Sequence, residues 1–336
     1  MAQQNADQAV HRAAQAGLTD ELSAMLARDP SLIEAQGMDA RTPLHCAGTV
    51  AVAELLLDYG ARIDALDEDH DSTPAQWRIG ESPDVARFLL ERGARADIFL
   101  AVALGDLTLV ERLLTKDRGC VACRIGKAPE FPPLGFEGRG GTIYQWTLAF
   151  NSYPHQVALM KGHQSIFDFL YAESDETTQL LVNCVLARRP EALAIAKEHP
   201  EIVPELPDAD RELAAKYCWE TNTNYDAVKL MLDLGFPVAH PENSHGYTPL
   251  HNAAWQGSGD LVELLIARGH PMNIRDPRYA ATPLQYALYD CLTEKRHPEG
   301  EFARVIKSLL EAGSSLTDIK YPTGDASVDE VLRNYI

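Results

Sequence analysis

The sequence predicts an all-α solenoid of stacked helix–turn–helix units with an irregular, loop-rich middle, on three observations. Short segments opening on Thr-Pro recur: Thr42-Pro43-Leu44-His45, Thr73-Pro74-Ala75-Gln76, Thr248-Pro249-Leu250-His251 and Thr282-Pro283-Leu284-Gln285. A threonine hydroxyl can accept a hydrogen bond from the unpaired amides of a first helical turn, and a proline at the first helical position gives up no bond. Each start is followed by a leucine-rich helix stopped by glycine, as in Asp260 to Gly269. Finally, each helical pair is too small to bury a core alone, so it must stack on copies of itself.

The units follow in order, about nine of them in a single array over residues 1–336. Residues 1–36 form an N-terminal cap unit without the Thr-Pro start, with Gln8, His11, Arg12 and Gln15 facing water. Regular repeats occupy 37–115. Between Lys116 and Gly141 stand Pro129, Pro132, Pro133, Gly135, Gly138, Gly140 and Gly141, too many breakers for a helix, so a long loop is expected there. Thr142 then opens a unit whose proline is lost, Asn151 to His155 departs again, and a second helix starts at Gly162, all within an irregular repeat at 116–176. Degenerate repeats fill 177–240, regular ones return at 243–318 with an insertion from Cys291 to Gly300, and 319–336 closes the array with a helix around Val328 to Tyr335.

The pattern T-P-L-H, a paired leucine helix and then glycine resembles the ankyrin repeat, most closely at residues 37–66 and 243–274. The resemblance implies a binding scaffold with a concave groove and finger loops as its ligand surfaces. It also implies structural roles for His45 and His251, which would bond loop backbone and tie units together, with Gln76, Gln145 and Gln285 standing in the same slot. The motif specifies the fold and leaves the ligand open.

Composition narrows the partners. Forty-nine acidic against 30 basic residues give a formal net charge of −19. Nucleic-acid and anionic-membrane surfaces need clustered Lys and Arg, so neither is expected, and a basic or neutral protein or peptide fits better. No apolar run is long enough for a membrane span, and the N-terminal residues lack signal-peptide character, which predicts a cytoplasmic protein. Six scattered cysteines read as reduced thiols. Cys120 and Cys123 have half a zinc-site spacing, with His155 and His163 downstream, but no second pair completes four ligands. No metal or cofactor is expected.

Counting each first helix from its proline slot as zero, slots 1, 4, 5 and 8 share the packed face and slots 3, 6 and 7 the opposite, groove-facing side. Trp77 and Trp146 fall at slot 3 and Trp255 at slot 6; Trp219 lies in a unit without a threonine anchor. Tyr286, Tyr289 and Asp290 at slots 3, 6 and 7, with Glu81 and Phe150 at slot 7, extend the stripe. Tyr144 and Tyr247 complete the candidate set. Exposed aromatics offer large contact area with few torsions to freeze, and with Glu81, Asp290 and the finger-loop acids Glu68, Asp69 and Asp71 they suit a peptide carrying Lys or Arg. Sugar rings would also fit these faces. The competing structural reading is that inserted loops at 116–141 or 151–163 fold back over Trp146 and Phe150.

The finger loops themselves, Asp39 to Arg41, Asp69 to Ser72, Ser244 to Tyr247 and Asp276 to Tyr279, are a second candidate surface. No nucleophile elbow, P-loop, dinucleotide fingerprint or His-Glu-x-x-His motif is present. The prediction is therefore a non-enzymatic protein-interaction scaffold. The alternative is a small-molecule or glycan pocket, with catalysis, built by the central insertions near Tyr144, Trp146 and His155.

Overall fold

The computed structural model describes residues 2–133, 135–219, 224–240 and 246–336, apart from the side chains of 2–7 and 136. Ser244 and His245 of the third finger loop lie outside the described residues. Contacts gather into two compact units, Met1–Ser174 and Asp175–Ile336. Among the described residues the secondary structure is helical, without a β-strand, and no helix is long and apolar enough to cross a membrane.

The first unit opens with Ala2–Ala16 and Thr19–Arg28. The start at Thr42 makes only a 3-10 turn, Pro43–Cys46. The chain then passes so close to the first helix that a Cβ on Gly48 would lie 2.2 Å from the Gln15 carbonyl oxygen. The second helix of this repeat is Val50–Asp58, capped by Thr49, whose Oγ1 accepts from the Val52 N–H at 3.3 Å. At Pro74–Glu81 the cap is reciprocal: the Thr73 N–H donates to Gln76 Oε1 (2.8 Å) and the Gln76 N–H to Thr73 Oγ1 (3.4 Å). Pro83–Glu91, Ile98–Ala103 and Leu107–Lys116 continue the regular pairs.

The breaker-rich middle is a connection with two 3-10 turns, Arg118–Ala122 and Phe136–Gly138. It is tied down rather than left as an open loop. Phe131 packs edge-on to Phe99 (4.7 Å between centroids) and tilted against Tyr144 (5.9 Å). The Gly140 N–H donates to the Asp69 carbonyl (3.0 Å), the His70 ring bonds the Gly141 carbonyl (2.9 Å), and the Thr142 N–H donates to the Pro132 carbonyl (2.8 Å). The Thr142 start yields a single helical turn, Tyr144–Thr147.

The partner of helix Gln164–Glu173 is instead Pro154–Met160, inside the segment that read as a departure. Tyr153 takes the place of threonine, its N–H donating to Gln156 Oε1 at 3.0 Å, so the signal was an X-Pro-x-Gln start without its hydroxyl.

The second unit begins with the pair Glu176–Val185 and Arg189–Glu198. Short turns Ile202–Glu205, Asp208–Arg211 and Leu213–Lys216 lead to Tyr225–Asp233. Two well-formed repeats follow, Pro249–Trp255 with Gly259–Ala267 and Pro283–Tyr289 with Phe302–Glu311. Ala326–Leu332 forms the closing helix. The Cys291–Gly300 insertion begins as one π turn, Asp290–Glu294, ending at Lys295 with φ +54°.

Candidate functional site

The repeats are locked by backbone-seeking side chains that also shape the finger loops. His45 Nδ1 accepts from the Thr42 N–H (3.0 Å), which places the ring proton on Nε2, 3.1 Å from the Ser72 carbonyl oxygen. His251 repeats the arrangement with Thr248 (3.2 Å) and the Ala281 carbonyl (3.1 Å). Both rings are fully buried. Burial holds the His45 pKa down at about 4, against the opposing pull of the Ser72 bond, and lowers that of His251 likewise.

The loop these rings reach is built by an aspartate six residues before the next threonine. Asp67 accepts from the His70 and Ser72 amides (2.8 and 2.7 Å), and Asp276 from those of Arg278, Tyr279 and Ala281 (2.8, 2.7 and 3.0 Å). Sequence reasoning named Asp276 only as the start of a finger loop and passed over Asp67, although their equal spacing from Thr282 and Thr73 was visible.

In the second unit five of the candidate aromatics come together. Trp219 stacks on Trp255 (4.9 Å, 24° between planes) and lies parallel to Tyr247 (6.5 Å, 6°). Tyr247 meets Tyr286 edge-on at 5.6 Å. With Tyr289 and the finger-loop residue Tyr279, both exposed, they line a cavity of about 560 Å³ that also holds Asn252, Gln285 and Glu294. Trp255 is 8% exposed; its indole N–H donates to Glu294 Oε2 at 3.3 Å, and the Arg296 guanidinium lies 5.3 Å from its ring centroid. Asn252 Nδ2 donates to the Ala215 carbonyl (3.1 Å), fixing the helix that carries Trp255. Burial raises the pKa of Tyr247 and, more strongly, Tyr286, so both stay neutral phenols. Glu294 and Arg296 were absent from the candidate set because both come from the insertion, whose course no repeat pattern specifies; Tyr279 was named only with the finger loops.

The first unit gathers Trp77, Glu81 and Trp146 around a second cavity, of about 720 Å³. Trp146 is 57% exposed and touches Phe150 edge-on (5.2 Å). The tied-down middle segment therefore leaves its ring open.

Two candidates are structural. Tyr144 is wholly buried and its hydroxyl donates to Asp97 Oδ2 at 2.6 Å. Asp290 is also wholly buried, its carboxylate accepting from the Arg296 and His297 amides (both 3.1 Å) where the insertion turns back. His155 is closed into the core as well, 3.0 Å from Ser174 Oγ, and burial holds its pKa at about 4. Cys120 and Cys123 are half-buried thiols pushed up to about 11 and about 12 by burial. Among the described residues no three or more His, Cys, Asp and Glu side chains stand as a metal-binding group.

Against known families, residues 39–68 match the model of the ankyrin repeat and residues 231–287 that of ankyrin repeats in many copies. The chain is an ankyrin-repeat protein. Ankyrin repeats generally mediate protein–protein interaction. The ankyrin chain is 22% identical over 271 residues to the E3 ubiquitin-protein ligase KEG of Arabidopsis thaliana, covering 77% of this chain and 16% of that protein. It is 47% identical over 60 residues to the ankyrin repeat-containing protein P1E11.10 of Schizosaccharomyces pombe, covering 18% of this chain and 28% of that one. These alignments thus span under a third of either relative's length. The crystal structure of the human ASB11 ankyrin repeat domain matches 91% of the ankyrin chain and 98% of its own, at 20% identity and a TM-score of 0.30.

Proposed function

We propose that this ankyrin-repeat chain is a non-enzymatic interaction scaffold whose second unit grips a cationic side chain, Lys or Arg, of a protein or peptide partner. The observation that carries this reading is the cavity of about 560 Å³ whose walls include Trp219, Tyr247, Trp255, Tyr279, Tyr286 and Tyr289, with one carboxylate, Glu294, at its edge. Aromatic faces present negative quadrupole potential, and a cation desolvated among them gains roughly 0.5–2 kcal/mol per good contact. Glu294 adds a charge partner that the rings lack. The overall acidic balance, −19, would draw a basic segment toward the chain and repel nucleic acid. Six free thiols support a cytoplasmic setting.

The test titrates three peptides alike except for one central residue, Lys, Arg or norleucine, against wild type and a Tyr289→Ala/Glu294→Gln variant, following tryptophan fluorescence. The exposed positions of Tyr289 and Glu294 leave the core intact. A gain of roughly 2–30-fold for Lys or Arg over norleucine, lost in the variant, is expected. Equal affinities for all three peptides would refute the cationic reading, and affinity capture with the same two proteins would then identify partners held by other surfaces.

A further inference from the structure

The cavity of the first unit has the opposite chemistry to the chain that builds it. The protein is strongly acidic, at −19, yet Arg12, Arg41 and Arg78 line this cavity against one carboxylate, Glu81. Three guanidiniums facing one carboxylate leave the wall at about +2. Arg78 is 5% exposed, with Nη1 3.2 Å from the Glu81 carboxylate, and its Nε has no hydrogen-bond partner among the described residues. The Trp77 indole N–H is likewise buried without an acceptor there. Arg41 is held with its guanidinium 4.5 Å from the Trp77 ring centroid, and Arg12 is paired with none of the described acids. Concentrating guanidiniums at one place and leaving buried donors unpaired are both unfavourable unless something anionic offsets them.

We propose that this cavity binds a phosphomonoester, its head among Arg12, Arg41 and Arg78 and the group it is attached to resting against Trp146. A phosphomonoester carries about −1.5 to −2 charge at neutral pH and three acceptor oxygens, which matches the wall better than a single carboxylate does. Guanidinium forks suit its geometry by bidentate bonding. The volume of about 720 Å³ exceeds the need of a bare ion and leaves room for an organic body. Trp146, 57% exposed at the rim, offers that body a flat apolar face. This site is independent of the aromatic cavity in the second unit and stands whether or not that cavity takes cations.

The experiment uses the full chain with 15N-labelled tryptophan, whose four indole signals are assigned from single Trp→Phe variants. Phenyl phosphate, phenylacetate and benzylamine serve as probes. Phenyl phosphate should shift the Trp77 and Trp146 signals saturably, leave those of Trp219 and Trp255 in place, and bind about tenfold or more tightly than phenylacetate. Arg12→Gln, at an exposed position of the first helix, should weaken it several-fold, and Arg12→Gln/Arg41→Gln about tenfold or more. The variants' melting curves verify that the fold persists. Absence of a saturable shift, equal binding of benzylamine, phenylacetate as tight as phenyl phosphate, or affinity unchanged in the double variant would each overturn the proposal.

Discussion

Replacing Tyr144 by Phe separates the structural role found for this residue from the ligand role its sequence context implied. The hydroxyl is one of four donors on the Asp97 carboxylate, at 2.6 Å; the others are the Gln76 Nε2–H (2.9 Å) and the Phe99 and Leu100 amides (2.9 and 3.0 Å). Asp97 thereby caps helix Ile98–Ala103 and ties it to Pro74–Glu81 and to the turn at Tyr144. Burial pushes its carboxyl pKa up, against the pull of these bonds, so each donor lost is felt strongly. A hydrogen bond to a charged group contributes about 1.5–3 kcal/mol; with three donors remaining the loss should fall in the lower half, about 1.5–2 kcal/mol. For a unit of this size that corresponds to roughly 3–8 °C in Tm. Urea titration followed by near-ultraviolet circular dichroism measures it, and partner binding should not change, because Tyr144 lines neither cavity. A loss under about 0.5 kcal/mol would refute the strut, and intact stability with lost binding would return Tyr144 to the ligand surface.

Three further outcomes follow from the same geometry. Burial holds His45, His155 and His270 at about 4, from a usual 6.5. As pH falls below 6.5 the unfolded chain takes up these protons and the folded one does not. Each histidine therefore contributes stability that is complete above 6.5 and is lost between 6.5 and about 4, on the order of 3 kcal/mol apiece. Urea midpoints across that window should drop, and His155→Gln should flatten the slope; a pH-independent midpoint would contradict the burial of these rings. Asp276→Ala leaves three loop amides without their acceptor and should cost about 1–3 kcal/mol, with hydrogen exchange at Arg278, Tyr279 and Ala281 reporting the loosened loop. Trp219→Ala opens one wall of the aromatic cavity; it should abolish selection for Lys or Arg peptides while the phenyl phosphate response of Trp77 and Trp146 persists.

The repeats were legible wherever a side chain speaks to its own backbone. Thr73 with Gln76 and Thr282 with Gln285 make reciprocal caps within four residues, so the pattern and the structure are nearly one statement. Tyr153-Pro154 was missed because the capping partner, Gln156, remained while the threonine did not. The slot rule even contained the fate of Tyr144: counted from Thr142 it occupies slot 1, on the packed face. It stood in the candidate set through the pocket reading, with Trp146 and His155 beside the central insertions, rather than by its slot. The convergence of arginines around Trp77 was not legible for another reason, although Arg12 and Arg41 were each named in their own units. Arg12, Arg41 and Arg78 are far apart in sequence, and only the fold of the first unit brings them to one wall.

The insertion after Tyr289 is where the repeat ceases to determine the site. In a regular repeat the residue at slot 7 would stay on the groove side, and Asp290 was read that way. Here the helix widens into a π turn and the chain reverses at Lys295, so the Asp290 carboxylate collects the Arg296 and His297 amides, with His297 Nδ1 3.3 Å away. That capture holds Glu294 beside the Trp255 indole and Arg296 near its ring. The carboxylate lost to the surface at Asp290 is thus replaced by the one the same turn delivers at Glu294. Asp290 bears on partner binding only through that turn, by positioning an acid at the edge of the aromatic cavity.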